Sequence, residues 1–283
     1  MRRTGPRRGG APDPWSCEDS TVWREAPRPH RAACTGRCKL VQESTSSMVD
    51  RPAKPPPQQL VDHGVLPRRP ARKSTGDTVL IDAIVAHLNK HAGTPSTVYH
   101  DGDCRWVHLD VHLVGPGTRG DRWLLCTSGM AERPLRTPLP QDRPDRLWTE
   151  LVMVLPPSWD LSEATLTRPE SFWPIGWLRF LGRQPHATGV GYLPGDSISR
   201  LRDPREPGPS PFDGALFVPS TRVPPMTMVG RQVRFLAVCP LFAAEIAVVR
   251  DHGSRALLAG LHALGCDPEV VDIARREVTG PDA

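Results

Sequence analysis

Apolar positions first recur with a helical period just after residue 77. The residues that share one face of a 3.6-residue repeat are Leu80, Ile81, Ile84, Val85 and Leu88. Asp77 or Thr78 suits the N-cap of such a helix, because either side chain can accept a hydrogen bond from the first turn. Gly93 suits its C-terminal end. The pattern therefore predicts an amphipathic helix, and the ordered part of the chain begins with it.

A period of two follows over residues 107–113. One set of alternate positions is apolar and consists of Val107, Leu109, Val111 and Leu113. The other set consists of His108, Asp110 and His112. This alternation predicts a strand with one buried and one outward polar face. The Gly- and Pro-containing run 115–121 predicts a turn, and 122–127 a second strand that forms a hairpin with the first.

The remaining patterns predict a mixture of strands and helices. Residues 96–100 and 215–218 indicate short strands, and the near-continuous apolar run 150–156 indicates a strand buried on both faces. Residues 227–238 predict a hairpin that turns near Gly230. Helices are predicted after Ser171, with Pro174 in the first turn, and over 241–249 and 254–264, which end at Gly253 and Gly265. Without strict strand–helix alternation, this order favours α+β or mixed α/β over a doubly wound sheet. We expect an α+β sandwich in which a mixed, mainly antiparallel sheet is flanked by helices.

Composition separates residues 1–75 from residues 76–283. The first segment carries 15 Lys and Arg against 7 Asp and Glu, a net charge of +8, and 11 of the chain's 33 Pro. Proline removes hydrogen-bond donors and like charges repel, so we expect a disordered tail followed by one folded domain. Met48 is an alternative start, in which case residues 1–47 are not translated.

Charge and cysteine content narrow the classes of function. The whole chain has a net charge of +5, so the predicted domain carries −3 and a specific nucleic-acid surface is not expected. No run approaches the roughly 20 apolar residues of a membrane helix. Seven irregularly spaced cysteines suit reduced thiols in the cytoplasm better than a disulfide framework. Cys34 and Cys38 have zinc-like spacing, but no second pair follows them.

The polar residues His108, Asp110 and His112 are the main candidates for a functional site. Two imidazoles and a carboxylate at alternate strand positions can point toward one metal ion. The alternatives are a solvated strand face or a polar binding surface. Spacing fixes no fourth ligand, although His100 and Asp103 are near in sequence. We expect no metal and no other cofactor.

Other chemistry-bearing residues have simpler structural interpretations. Ser128 lacks the Gly-x-Ser-x-Gly pattern of a nucleophile elbow, and Gly129 beside it indicates a tight turn with Met130 packed inward. The aromatic residues expected in the core are Trp159, Trp173, Phe180 and Phe235, and Trp173 or Trp177 at a binding rim is the alternative.

Four motifs in order resemble the suppressor-of-fused (Sufu) family. They are Thr-Ser-Gly-Met at 127–130, Glu-Leu with Leu-Pro-Pro-Ser-Trp at 150–159, Trp-Pro at 173–174 with Gly-Asp at 195–196, and the strand at 233–241 followed by Glu245. Together they cover about residues 78–265. The resemblance is to a bacterial-type member and to the family's N-terminal lobe.

The resemblance implies a protein-binding module rather than an enzyme. The founding animal member sequesters zinc-finger transcription factors of Hedgehog signalling by clamping a short peptide as an added β-strand. Bacterial relatives are thought to neutralise toxins. The family's acidic peptide contact falls on Asp196, beside Gly195, whereas an aromatic residue of its cleft is replaced by Gln184. The C-terminal lobe that completes the animal cleft is expected to be absent here, so a ligand would differ.

Two functional hypotheses remain. The first is a cytoplasmic module that sequesters or neutralises a protein or peptide partner, such as a toxin domain, with Gly195, Asp196, His108, Asp110 and His112 as partner-binding residues and no catalytic residue. The second is an enzyme with a dispersed active site around His108, Asp110, His112 and Asp196. A pocket where these residues meet would favour the enzyme, and an open sheet edge would favour the binder.

Overall fold

The chain was described with a computed structural model, which covers residues 24–25, 74–100, 106–117, 119–136, 146–199, 201, 210–228 and 230–279. The predicted tail 1–75 therefore lies outside the described residues except for positions 24–25 and 74–75. Cys34, Cys38 and Asp103 lie outside them as well.

One mixed sheet dominates the described part of the chain. Its strands are β1 (Arg24–Glu25), β2 (Thr97–His100), β3 (Asp110–Val114), β4 (Trp123–Ser128), β5 (Leu135–Arg136), β6 (Arg146–Leu155), β7 (Ser197–Ser199), β8 (Gly214–Pro219), β9 (Met226–Met228) and β10 (Arg231–Leu241). The main order is β1-β2-β3-β4-β6-β10-β8-β7, and β5 and β9 pair with β6 and β10. Only β6 and β10 pair in parallel among these strands, so the predicted mainly antiparallel sheet is confirmed.

Helices cover both faces of the sheet. They are α1 (Thr78–His91), α2 (Glu163–Leu166), α3 (Pro169–Thr188), α4 (Ala243–His252) and α5 (Ser254–Ala263), with a 3-10 turn at Met130–Glu132. Side chains from α3 pack with Leu236 and Val238 of β10, whereas those of α4 and α5 pack with Ala237 and Cys239. Successive residues of a strand point to opposite faces, so α3 lies on one face and α4 and α5 on the other. This confirms the predicted α+β sandwich.

The predicted end signals of helix α1 agree with the structure. The carboxylate of Asp77 accepts the backbone N–H of Leu80 at 3.0 Å and caps the first turn. The N–H of Gly93 donates to Leu88, as expected for a glycine that ends a helix. Helix α3 differs from its prediction, since it begins at Pro169 and places Pro174 beyond the first turn. Pro169 occupies the first helical position, where a missing N–H costs little.

The prediction that one face of β3 is solvated was wrong. Every residue from Asp110 to Val114 is buried, including His112, of which only 2% is exposed. Val114 packs in a second apolar cluster with Leu80, Ile84 and Leu88 of helix α1. Asp110 and His112 therefore lie on a covered face, whereas His108 is half-buried. Alternation within one strand cannot reveal this because it does not show what lies above the face.

Candidate functional site

Asp196 lies in a tight turn that leads into the edge strand β7. Pro194 and Gly195 occupy the two central positions, Gly195 has a φ of 92°, and the N–H of Asp196 donates to the carbonyl of Leu193 at 3.0 Å. Proline followed by a residue with positive φ is the signature of a type II turn. Glycine suits the second central position because it adopts positive φ without a steric cost.

The turn continues into a β-bulge opposite Phe217. The N–H of Gly195 donates to the carbonyl of Phe217 at 2.8 Å, and the N–H of Phe217 donates to the carbonyl of Asp196 at 2.9 Å. Two residues of one strand thus face one residue of β8, with the glycine at the first bulge position. The bulge sets the direction in which β7 leaves the turn.

The carboxylate of Asp196 stabilises this turn. It accepts the backbone N–H of Leu193 at 2.7 Å, and only 9% of the residue is exposed. Burial raises the pKa of Asp196, and the Leu193 N–H opposes that shift. The Asp196 carboxylate therefore bonds nearby backbone, while its contact with a partner remains a prediction.

Strand β7 forms one end of the sheet. Within the described residues it pairs only with β8, through the positions Ser197–Leu216, Ile198–Ala215 and Ser199–Gly214. Ile198 is buried in the core that contacts α3, which anchors the strand. An edge strand of this kind presents one side of its backbone to another chain.

The polar residues of β3 lie far from Asp196. Strands β4, β6, β10 and β8 separate β3 from β7, so five strand spacings of about 4.8 Å place the two regions about 24 Å apart across the sheet. The structure therefore does not bring His108, Asp110 and His112 together with Asp196. A single active site containing all four residues is not supported by this arrangement.

Asp110 instead contacts the imidazoles of His100 and His108. Its Oδ1 lies 3.0 Å from Nδ1 of His100 and its Oδ2 lies 3.4 Å from Nε2 of His108. Burial raises the pKa of Asp110, but the hydrogen bonds and charges of His108 and His100 outweigh it, so the pKa lies below its usual value. Asp110 is thus an ionised carboxylate in a buried position.

His112 forms a separate buried pair with Ser128. Its Nε2 lies 2.8 Å from the Ser128 hydroxyl, whereas its Nδ1 has no hydrogen-bond partner among the described residues. Burial lowers the pKa of His112 to about 4, although the charge of Asp110 opposes this shift. A Ser–His nucleophile needs an acid on the second nitrogen and access for substrate. Ser128 is fully buried, so this pair has a structural role.

Sequence reasoning missed the buried carboxylate of Glu150. It accepts hydrogen bonds from the Thr127 hydroxyl at 2.6 Å, the N–H of Gly129 at 3.0 Å and the N–H of Ala131 at 2.9 Å. Burial raises the pKa of Glu150 to about 7, although these donors lower it. The only signal in the sequence was that Glu150 is a single acidic residue at the start of an apolar run. These bonds join two of the motifs, 127–130 and 150–159, into one structural unit.

The aromatic residues confirm the predicted core. Trp173, Trp177 and Phe235 are buried, and Trp159 and Phe180 are partly buried against the same cluster as α3. Trp173 contacts Trp177 edge to face at 4.9 Å between ring centroids. Gln184 lies in the last part of α3, where its carbonyl accepts the Thr188 hydroxyl. Among the described residues, none of the helices is long and apolar enough to cross a bilayer.

Comparison with known proteins gives the family. Among curated proteins, none matches the chain in sequence. A structure of a SUFU homologue from Neisseria gonorrhoeae is similar over 71% of this chain and 97% of that one, with 16% identity and a TM-score of 0.51. The Sufu-Fu complex structure is similar over 71% of this chain and 91% of that one, with 18% identity and a TM-score of 0.50. At these identities the likeness concerns the fold.

The sequence match is to the family model of the Suppressor of fused protein (SUFU), over residues 105–276. That range contains the four motifs, the turn at Asp196 and every strand from β3 onward. The chain belongs to the Suppressor of fused protein family.

Proposed function

We propose that this chain is a protein-binding module that takes up an extended segment of its partner along strand β7. The observation that carries the proposal is the position of β7, which ends the described sheet and is held by the Pro194–Gly195 turn on one side and by β8 on the other. Addition of a strand to such an edge gives affinity through main-chain hydrogen bonds.

The pairing register indicates which backbone groups meet the partner. Phe217 bonds to both Gly195 and Asp196, so the alternation of antiparallel pairs makes the Ser197–Leu216 pair a non-hydrogen-bonded one. The same alternation applies to Ser199 and Gly214. The N–H and C=O groups of Ser197 and Ser199 consequently point away from β8, toward the space that an added strand would occupy.

Side-chain recognition would come from Asp196 at the start of this edge, beside the backbone of Gly195. Asp196 supplies a carboxylate next to the proposed partner strand, and a basic or hydrogen-bond-donating residue suits it. The other predicted partner-binding residues, His108, Asp110 and His112, lie near the opposite edge, and two of them are 2% exposed. The proposal therefore assigns partner contact to Gly195 and Asp196.

The biological role that fits such a module is neutralisation or sequestration of a protein in the cytoplasm, with a toxin domain as the proposed partner. The similar Sufu-Fu structure is a complex of that protein with Fu. Cys126, Cys239 and Cys266 are free thiols in this structure, which suits a reducing compartment.

The test uses the untagged full chain coupled to a support as bait for lysate and secreted proteins of the native host, with mass spectrometry as the readout. The key variant is Ser199→Pro, which removes an outward N–H while leaving the bonds to β8 intact. Ser199→Ala keeps that N–H and is the matched control.

The expected result is one stoichiometric partner that the wild type and Ser199→Ala retain and Ser199→Pro loses, with the partner's activity falling on binding. Equal capture by folded Ser199→Pro would show that the partner binds elsewhere. If the folded wild type captures no partner, the binding-module proposal fails.

A further inference from the structure

A cluster of potential metal ligands lies at the β2–β3 end of the sheet. His100 is the last residue of β2, Asp110 is the first residue of β3, and the two are paired across the ladder. His108 precedes β3 by two residues. One nitrogen or oxygen atom from each of these three side chains lies within 4.8 Å of the other two.

The distances are close to those that one small cation requires. Zinc binds imidazole nitrogen and carboxylate oxygen at about 2.0–2.2 Å in a tetrahedron, which separates neighbouring ligand atoms by about 3.4 Å. The Asp110 oxygens lie 3.0 Å from the nitrogen of His100 and 3.4 Å from that of His108. The three ligand atoms lie within 4.8 Å of one another, so side-chain rotation would have to bring them closer to seat all three on a common ion.

The local surroundings fix two of the three residues. Asp110 has a side chain that is only 4% exposed, so its negative charge needs a positive partner nearby. His108 is held through its backbone N–H, which donates to Glu132 at 3.3 Å, and its ring lies against Gly76, where a Cβ would approach it to 3.3 Å. Such support from neighbouring groups is typical of ligands that are held in place before the ion binds.

The cluster is also accessible from one side. The side chains of His100 and His108 are 39% and 27% exposed, whereas Asp110 forms the inner wall. The partial exposure of the two imidazoles gives an ion a route to the Asp110 carboxylate. Three protein ligands with an open fourth position describe a zinc site that binds water or an external ligand.

We propose that His100 Nδ1, His108 Nε2 and one carboxylate oxygen of Asp110 bind a divalent transition-metal ion, for which Zn²⁺ is the best match, with water as the remaining ligand. Two imidazoles and a carboxylate favour this class of ion over Mg²⁺ or Ca²⁺, which prefer oxygen ligands alone. The ion would join β2 to the segment that leads into β3. This site lies at the opposite end of the sheet from β7, so it is independent of the proposed partner edge.

The test measures Zn²⁺ binding by the untagged full chain after chelator treatment, by isothermal titration calorimetry, with Co²⁺ absorption as the probe of ligand type. The background carries Cys34→Ser and Cys38→Ser, because that pair has zinc-like spacing of its own. His108→Gln and Asp110→Asn are the site variants. His262→Gln is the control, since His262 is an exposed histidine in α5.

The expected result is one Zn²⁺ per chain in this background, with affinity reduced on the order of 100-fold in His108→Gln and unchanged in His262→Gln. Bound Co²⁺ should show a spectrum without thiolate bands. Absence of Zn²⁺ binding in the background protein, or equal binding by folded His108→Gln, would overturn the proposal and leave a metal-free imidazole–carboxylate cluster. His108→Gln keeps the test decisive if Asp110→Asn fails to fold.

Discussion

The Glu150 carboxylate accepts the backbone N–H of Gly129 at 3.0 Å, which links the start of the buried half of β6 to the turn that ends β4. Gly129 has a φ of 99° and immediately precedes the 3-10 turn. A buried N–H needs an acceptor, and Glu150 supplies it in place of a backbone carbonyl. Because the acceptor is a side chain, this turn depends on one residue.

Glu150→Ala should destabilise the fold strongly. The substitution leaves the N–H groups of Gly129 and Ala131 and the hydroxyl of Thr127 buried without this acceptor, at about 1–3 kcal/mol for each unsatisfied group. We expect a loss of at least about 3 kcal/mol in the free energy of unfolding, measured by urea denaturation. Glu150→Gln keeps an acceptor oxygen at the same position and should cost much less. Equal losses in both variants would contradict this account.

The stability that Glu150 contributes should depend on pH in an unusual direction. Burial raises its pKa to about 7 in the folded chain from an ordinary value of 4.5. The folded state therefore binds the proton more tightly, and the contribution is fully present below pH 4.5 and lost as pH rises to about 7. This difference between the two pKa values corresponds to about 3 kcal/mol at most in the free energy of unfolding.

The measurement is the stability of the wild type minus that of Glu150→Gln, by urea denaturation at several pH values between 4.5 and 8. Gln does not titrate, so other acids cancel in the difference. We expect the wild type to lose stability relative to Glu150→Gln as pH rises. A difference that is constant with pH would show that Glu150 is ionised throughout this range.

Gly129→Ala should prevent this turn from forming. A Cβ at position 129 would lie 1.7 Å from the carbonyl oxygen of His108, and the positive φ adds strain. The matched control is Gly230→Ala, which also has positive φ but no atom within 4 Å of the new Cβ. Gly230→Ala should lower the free energy of unfolding by about 1–2 kcal/mol. Gly129→Ala should cost several times more or abolish folding, as judged by thermal denaturation, and similar costs would contradict the predicted clash.

Local patterns predicted most of the fold. The helix at 78–91 followed from the apolar period and its Asp77 cap, and the β3–β4 hairpin followed from alternation around a glycine-rich turn. Both depend on interactions between residues close in sequence. The start of α3 was placed three residues too late, after Ser171, because the helix begins at Pro169.

The candidate sites were less predictable because they depend on tertiary contacts. Alternation placed His108, Asp110 and His112 on one face, yet Asp110 contacts His100 on the neighbouring strand, and His112 contacts Ser128 on the other neighbour. Which strands become neighbours is decided by the whole sheet. The ion pair between Glu245 and Arg275 was missed for the same reason, since 30 residues separate its members.

Arg275→Ala should destabilise the C-terminal part of the fold. The guanidinium bonds to the Glu245 carboxylate at 2.6 Å and to the carbonyl of Pro240 at 2.9 Å, and both side chains of the pair are at most 5% exposed. Removal of one partner leaves a buried charge, which costs about 3–5 kcal/mol. The double variant Arg275→Leu with Glu245→Leu removes both charges and should be more stable than Arg275→Ala. Denaturant titration of both variants tests this order, and the reverse order would contradict it.

Substitutions of Asp196 should separate its role in the turn from its proposed role in partner binding. Asp196→Asn keeps an oxygen that accepts the Leu193 N–H, so the free energy of unfolding should change by less than about 1 kcal/mol. Asp196→Ala removes the acceptor and should cost about 1–2 kcal/mol. If the carboxylate contacts the partner, both variants should bind it more weakly by at least about tenfold, as measured by calorimetry with the captured protein. Unchanged affinity in Asp196→Asn would restrict Asp196 to the turn and leave the β7 backbone as the recognition element.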